Sequence, residues 1–270
     1  MTNPSPEQRL ALFAAQVRAL RLQQRGQLSA DPTLAASTRA VKQFQSARLA
    51  LTHADLLVNP RYGDAAKFFL FDLYGIKDFS QRDAELARVI PALQRFLPSA
   101  ALTVIADAVQ LDALSEQLDS LVGLQLRKTF GEQLKVVSSV PVVAATATGL
   151  ELKWPLYRAA YCAVDATLQS RAMRATQMQL VMAIGETLNN LVRKPLLGGL
   201  LKSMGPVAMA AGVGTMHDFL TRGFTAYKSM NDARPFLQII STREQAMHNA
   251  SVSSASDQQV LESQNLMGLA

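Results

Sequence analysis

The sequence predicts an all-α protein, a multi-helix bundle of about eight to ten helices, and three observations lead there. Apolar residues recur three and four positions apart along most of the chain, the spacing that gathers them on one face of a helix. The apolar content is mostly Leu, Ala, Val and Met, with only 6% aromatic residues, a mixture that favours helix over sheet. Prolines, glycines and capping side chains punctuate the pattern at helix-length intervals.

Ser5-Pro6 reads as the first helix start, a capping hydroxyl followed by a residue that needs no amide donor, and Leu10, Phe13, Val17 and Leu20 form its stripe. Gly26 and the stretch from Ser29 to Pro32 interrupt. Asp31-Pro32 restarts the period, with Val41, Phe44, Ala47 and Leu51 on one face. Asn59-Pro60 and Gly63 make a turn, after which Asp64 is expected to cap a short helix that Gly75 stops after Tyr74. Ser80 then opens a helix with the stripe Leu86, Val89, Ile90, Leu93, Phe96 and Leu97, bent at Pro91. From Pro98-Ser99 the residues Val104, Leu111, Leu114, Leu118 and Leu121 hold the helical period until Arg127-Lys128 place cations at the end.

The segment 136–155 is expected to be irregular, because Val136 to Leu150 is rich in Val and Thr and contains Pro141 and Gly149. Helix resumes at Trp154-Pro155, through Tyr157 to Leu168 and then along Met173, Leu180, Ile184, Leu188 and Leu191. Lys194-Pro195 interrupts. After Gly205-Pro206, the residues Met209, Val213, Met216, Leu220 and Tyr227 predict one long helix, and Pro235 to His248 predict the last. Residues 1–250 are expected to form a single helical domain with a subdivision near 136–155. The tail 251–270 is polar and expected to be disordered.

Composition narrows the function. A single cysteine, Cys162, allows no internal disulfide, and the polar, proline-bearing start from Met1 to Gln8 does not read as an export signal; a cytoplasmic setting is expected. The most apolar stretch, Leu196 to Met216, contains Lys202, Pro206 and five glycines and does not read as a membrane span. The net charge is +6, but its basic residues are scattered rather than blocked, which does not favour a nucleic-acid partner. His53, His217 and His248 form no metal-binding pair, and Glu244 with His248 reads as a surface hydrogen bond one turn apart, so neither metal nor cofactor is expected. Gly198-Gly199-Leu200-Leu201-Lys202-Ser203 lacks the Gly-Lys step of a phosphate loop, and Gly212-Val213-Gly214 lacks the third glycine of a dinucleotide fingerprint. Cys162 has no neighbouring histidine in sequence, so no catalytic residue is assigned.

One segment stands out: Phe68-Phe69-Leu70-Phe71-Asp72-Leu73-Tyr74-Gly75, continued by Lys77-Asp78-Phe79-Ser80-Gln81-Arg82-Asp83 and then Arg88. It resembles an uncharacterised bacterial family named for a Phe-Phe-Leu-Glu-Glu-Leu-Tyr motif, whose members carry a similar continuation. Asp218-Phe219-Leu220, Arg222-Gly223-Phe224 and Arg243-Glu244 extend the resemblance towards the C-terminus. Phe71-Asp72 stands where that family has two acids. The resemblance implies no reaction.

Burial of Phe68, Phe69, Leu73 and Phe79 draws charges into a partly dry environment where they must be paired. Phe68, Phe69, Asp72, Tyr74, Asp78, Arg82, Asp83 and Arg88 therefore make up a network, which the resemblance extends to Arg222, Arg243 and Glu244, and which is either a helix clamp or a ligand pocket with an aromatic wall. Arg82 is expected to reach Asp72 or Asp78. Three functions follow: a noncatalytic helical binding or scaffold protein that recognises a partner helix or an apolar or amphipathic ligand, a peripheral membrane protein using 194–216, or an enzyme with an acid and arginine pocket around Asp72 to Arg88.

Overall fold

The computed structural model describes residues 30–73, 97–130 and 152–270, together with isolated positions at 5, 8, 11, 12, 15, 19, 26, 85, 90 and 95. Among the described residues the backbone forms ten α-helices and no strand, the predicted fold class. They are α1 (Pro32–Thr52), α2 (Ala54–Leu57), α3 (Gly63–Lys67), α4 (Ser99–Phe130), α5 (Trp154–Asp165), α6 (Leu168–Leu191), α7 (Pro195–Ala210), α8 (Gly214–Ser229), α9 (Arg234–Ser251) and α10 (Asp257–Ser263). A π-helical turn at Phe68–Leu73 follows α3, and a 3-10 turn, Met267–Leu269, follows α10. The expected irregular segment falls almost wholly outside the described residues, as do most of the two helices expected to follow Ser5 and Ser80.

Local chemistry sets several boundaries. Asp31 caps α1 by accepting from the Leu34 amide at 3.0 Å, with Pro32 in the first turn. Ser5 and Gln8 exchange side-chain and backbone hydrogen bonds, the reciprocal cap of a helix start. Asp64, by contrast, sits in the first turn of α3 rather than capping it. The Asn59 side chain accepts from the Arg61 and Tyr62 amides instead and turns the chain there.

The long helix expected after Pro206 is divided. Gly212 adopts a left-handed φ of 67°. Its amide donates to the Met209 carbonyl and that of Val213 to the Ala208 carbonyl, the paired bonds that end a helix on a glycine. Pro206 therefore lies inside α7, and α8 begins afresh at Gly214.

The chain divides into two compact units, each assembled from three segments: 1–21, 56–113 and 178–238 in the first, and 22–55, 114–177 and 239–270 in the second.

In the first unit Leu102, Ile105 and Ala106 of α4 pack with Met216 of α8. In the second, Val41, Phe44 and Ala47 of α1 meet Val122 and Leu126 of α4, Trp154, Tyr157 and Tyr161 of α5, and Met247 of α9. Phe44 stacks on Tyr157 with ring centroids 4.3 Å apart.

The tail expected to be disordered completes that second core. Ser256 and Gln259 form a capping box at the start of α10, and Val260, Leu261, Leu266 and Leu269 are all buried. Arg158 fastens the approach, donating to the carbonyls of Ser251, Ser253 and Ala255 and to Asp257.

Gly123 of α4 packs directly on α1. A Cβ there would lie 2.6 Å from Thr38 Oγ1 and 2.9 Å from Thr38 Cα, a backbone atom that cannot swing aside. Alanine favours a helix over glycine by about 1 kcal/mol, but overpacking costs about 1–3 kcal/mol. Gly123→Ala is expected to lower stability on balance, read as an earlier urea midpoint by fluorescence of Trp154, the sole tryptophan.

Candidate functional site

The residues of the predicted network are divided between the two units. In the first unit, the π-helical turn inserts one extra residue per turn, and such insertions recur at functional positions. Phe68 and Leu70 are buried while Phe71 is 44% exposed. Phe68 packs against Phe219 at 5.2 Å between centroids, and Phe69 lies against Tyr227 and Phe236 at 6.0 and 5.9 Å. Gly223 makes this approach feasible, since a Cβ there would stand 2.7 Å from the tip of the Phe68 ring. Beside the aromatic wall, Arg222 pairs with Asp72 at 3.1 Å.

Tyr74, Asp78, Arg82, Asp83 and Arg88 lie outside the described residues, and with them the expected reach of Arg82. A neighbour that the sequence reading passed over, Glu85, is buried at 2% exposure and accepts the Met216 amide at 2.8 Å, in the first turn of α8. A carboxylate at the positive end of a helix is electrostatically favoured there. Its only sequence signal was an acid next to the apolar stripe that starts at Leu86.

Arg222→Ala is expected to cost no more than about 1 kcal/mol, because the arginine is more than half exposed and water screens the pair. Phe68→Ala removes a buried ring and is expected to cost about 3–5 kcal/mol. Chemical denaturation of both variants tests the contrast, which separates a surface ion pair from a packing element.

Arg243 and Glu244 belong to the second unit. Glu244 receives Arg48 Nη1 at 2.7 and 2.6 Å on its two oxygens and meets His53 Nε2 at 2.9 Å. Arg48 is 8% and His53 2% exposed. Burial pushes the Glu244 carboxyl up, but the Arg48 charge and the hydrogen bonds from His53 and Arg48 outweigh it and hold it at about 2. Arg243 pairs through both nitrogens with Asp55 at 2.5 and 2.9 Å and donates to the Thr52 carbonyl. A carboxylate held this far down stays ionised at neutral pH and cannot donate a proton.

Farther along α9, His248 Nδ1 lies 2.8 Å from the Tyr161 hydroxyl, and the Arg174 guanidinium covers the Tyr161 ring at 3.8 Å. Burial raises both the Tyr161 hydroxyl and the Cys162 thiol, and the thiol donates to the Ser251 carbonyl at 3.2 Å. Both effects suppress the nucleophilic thiolate.

The third feature is the surface of α7. Leu196, Val207 and Met209 are 86%, 69% and 67% exposed. Gly199, Ser203, Pro206 and Ala210 are exposed as well, and Leu200 is half-buried. Lys202 is the one charged residue in the helix. Three of the nine large apolar side chains that face solvent among the described residues are on this single element. Large exposed apolar clusters of this kind mark surfaces that bind.

In comparisons with known proteins, residues 24–258 match the model of a family described as a domain of unknown function (DUF8198). No curated protein and no solved structure matches.

Proposed function

Because the chain belongs to that family of unknown function, we propose from its own surface that it is a noncatalytic helical binding protein that docks an apolar or amphipathic partner on the exposed face of α7. The observation that carries this reading is the solvent-facing row of Leu196, Gly199, Val207 and Ala210, with Leu200 between them, on a helix with one lysine and no acid. The acid and arginine residues support a structural part beside it, since Asp72, Asp55 and Glu244 each meet an arginine. The Phe-Phe-Leu-Phe-Asp-Leu-Tyr segment and the lone Cys162 support a bacterial, cytoplasmic setting.

The test is native mass spectrometry of the protein recovered from extract, beside the double variant Leu196→Glu/Val207→Glu. Both positions face solvent, so the variant is expected to melt with the parent and to lose the species that the parent retains. Equal retention by both, or no retained species together with no binding to lipid vesicles, would overturn the proposal.

A further inference from the structure

Resting on that reading, we infer that the occupant of the α7 face is the headgroup boundary of an anionic lipid bilayer, with the helix lying in the plane of the surface. Three observations choose this occupant. The first is the width of the exposed face. At about 100° per residue, Leu196, Gly199, Leu200, Ser203, Val207 and Ala210 share one side of the helix, and Lys202, Pro206 and Met209 continue it around the flank. Leu197 and Ala208 face inward, so roughly half the circumference is open, and Lys202 and Ser203 are the polar side chains on it. A single partner helix covers only a narrow seam, whereas a helix at a bilayer interface sinks about half its girth among the headgroups.

The second observation is charge. Between Glu186 and Asp218 the chain carries Arg193, Lys194 and Lys202 and no acid; all three cations are exposed, Arg193 being paired with Asp232 and Lys194 and Lys202 lying at the start and on the flank of α7. That sign complements anionic headgroups and opposes the pairing of two copies through the same face. Lys202, on the flank, is placed to bury its methylenes while its ammonium reaches phosphate. The third is length: no helix among the described residues is long and apolar enough to cross a membrane, which leaves α7 the surface orientation.

The experiment is flotation of the full chain with vesicles of phosphatidylcholine alone and of phosphatidylcholine mixed with phosphatidylglycerol, at low and high salt. The protein is expected to float with the mixed vesicles at low salt and to stay behind with the neutral ones. Lys194→Glu/Lys202→Glu should weaken the interaction by at least about thirtyfold, since each cation near an anionic surface contributes about 1 kcal/mol. Leu196→Glu/Val207→Glu should abolish it.

A second readout needs no disruptive change. In a Cys162→Ser/Val207→Cys chain carrying an environment-sensitive dye, emission should shift to the blue on the mixed vesicles. Absence of flotation, or flotation and dye emission that ignore α7, would overturn the inference. If vesicles fail but Leu196→Glu/Val207→Glu still loses a protein partner, the binding-face reading stands and the lipid falls. If neither changes, both fall.

Discussion

Deleting residues 252–270 is expected to unfold the second unit rather than trim a loose end. Val260, Leu261, Leu266 and Leu269 are 4% exposed or less and pack in the cluster that holds Phe44 and Trp154. Burying one such side chain contributes about 1.5–3 kcal/mol, so four together contribute about 6–12, comparable with the whole stability of a typical domain. Arg158 would lose three of its four acceptors as well.

The truncated chain should show a red-shifted Trp154 emission and no cooperative transition by that probe. Leu266→Ala alone should cost about 2–5 kcal/mol. An unchanged melting curve with Trp154 still emitting from a dry environment would refute the tail's part in the core.

Arg48→Ala is expected to cost about 3–5 kcal/mol, because it leaves the Glu244 carboxylate in a poor dielectric with its main counter-charge removed. Replacing Arg48 and Glu244 together by apolar residues should cost much less, since no charge is then stranded. The same carboxyl predicts an acid dependence. Its value in the folded chain is about 2 against an ordinary 4.5, so the ionised form is the one that folding favours.

The stabilisation is therefore complete above pH 4.5 and lost as pH falls from 4.5 towards 2. It amounts to about 3 kcal/mol as an order of magnitude. Urea midpoints measured across that window should fall steeply in the parent and more gently in Glu244→Gln. Equal slopes would show that Glu244 does not carry the effect.

Much of the fold was legible because helix starts are local events. Asp31-Pro32, Pro98-Ser99 and Trp154-Pro155 each announce a helix with two adjacent residues, and the helices begin there. The break between α7 and α8 was misplaced because Gly205-Pro206 looks like the stronger stop. A proline within a helix removes one hydrogen bond, whereas Gly212 reverses the backbone. The tail was misread because four apolar residues are diluted among Ser, Gln and Asn, although Ser256 followed by Gln259 spelled out a capping box.

The site was legible only in part, for reasons of distance along the chain. The burial of Phe68 and the need for charge pairing could be read locally. Which arginine meets Asp72, or which residues enclose Glu244, depends on partners 150 to almost 200 positions away, at Arg222, Arg48 and His53. The apolar stretch 194–216 stood out in the sequence as a candidate interfacial segment, but which side of α7 faces solvent did not, since the same Leu and Val pattern serves equally for a buried helix.

The discontinuous make-up of the second unit bears on how the chain is synthesised. Its three segments begin at residue 22 and end at residue 270, with one side of the Phe44 and Trp154 cluster supplied by Val260, Leu261, Leu266 and Leu269. A ribosome releases these positions after the rest of the unit, so α1 and α5 emerge long before the side chains that seal them. Contacts this far apart along the chain are slow to form and leave apolar surface open in the meantime. Closure of this core is accordingly expected to be a late event in folding.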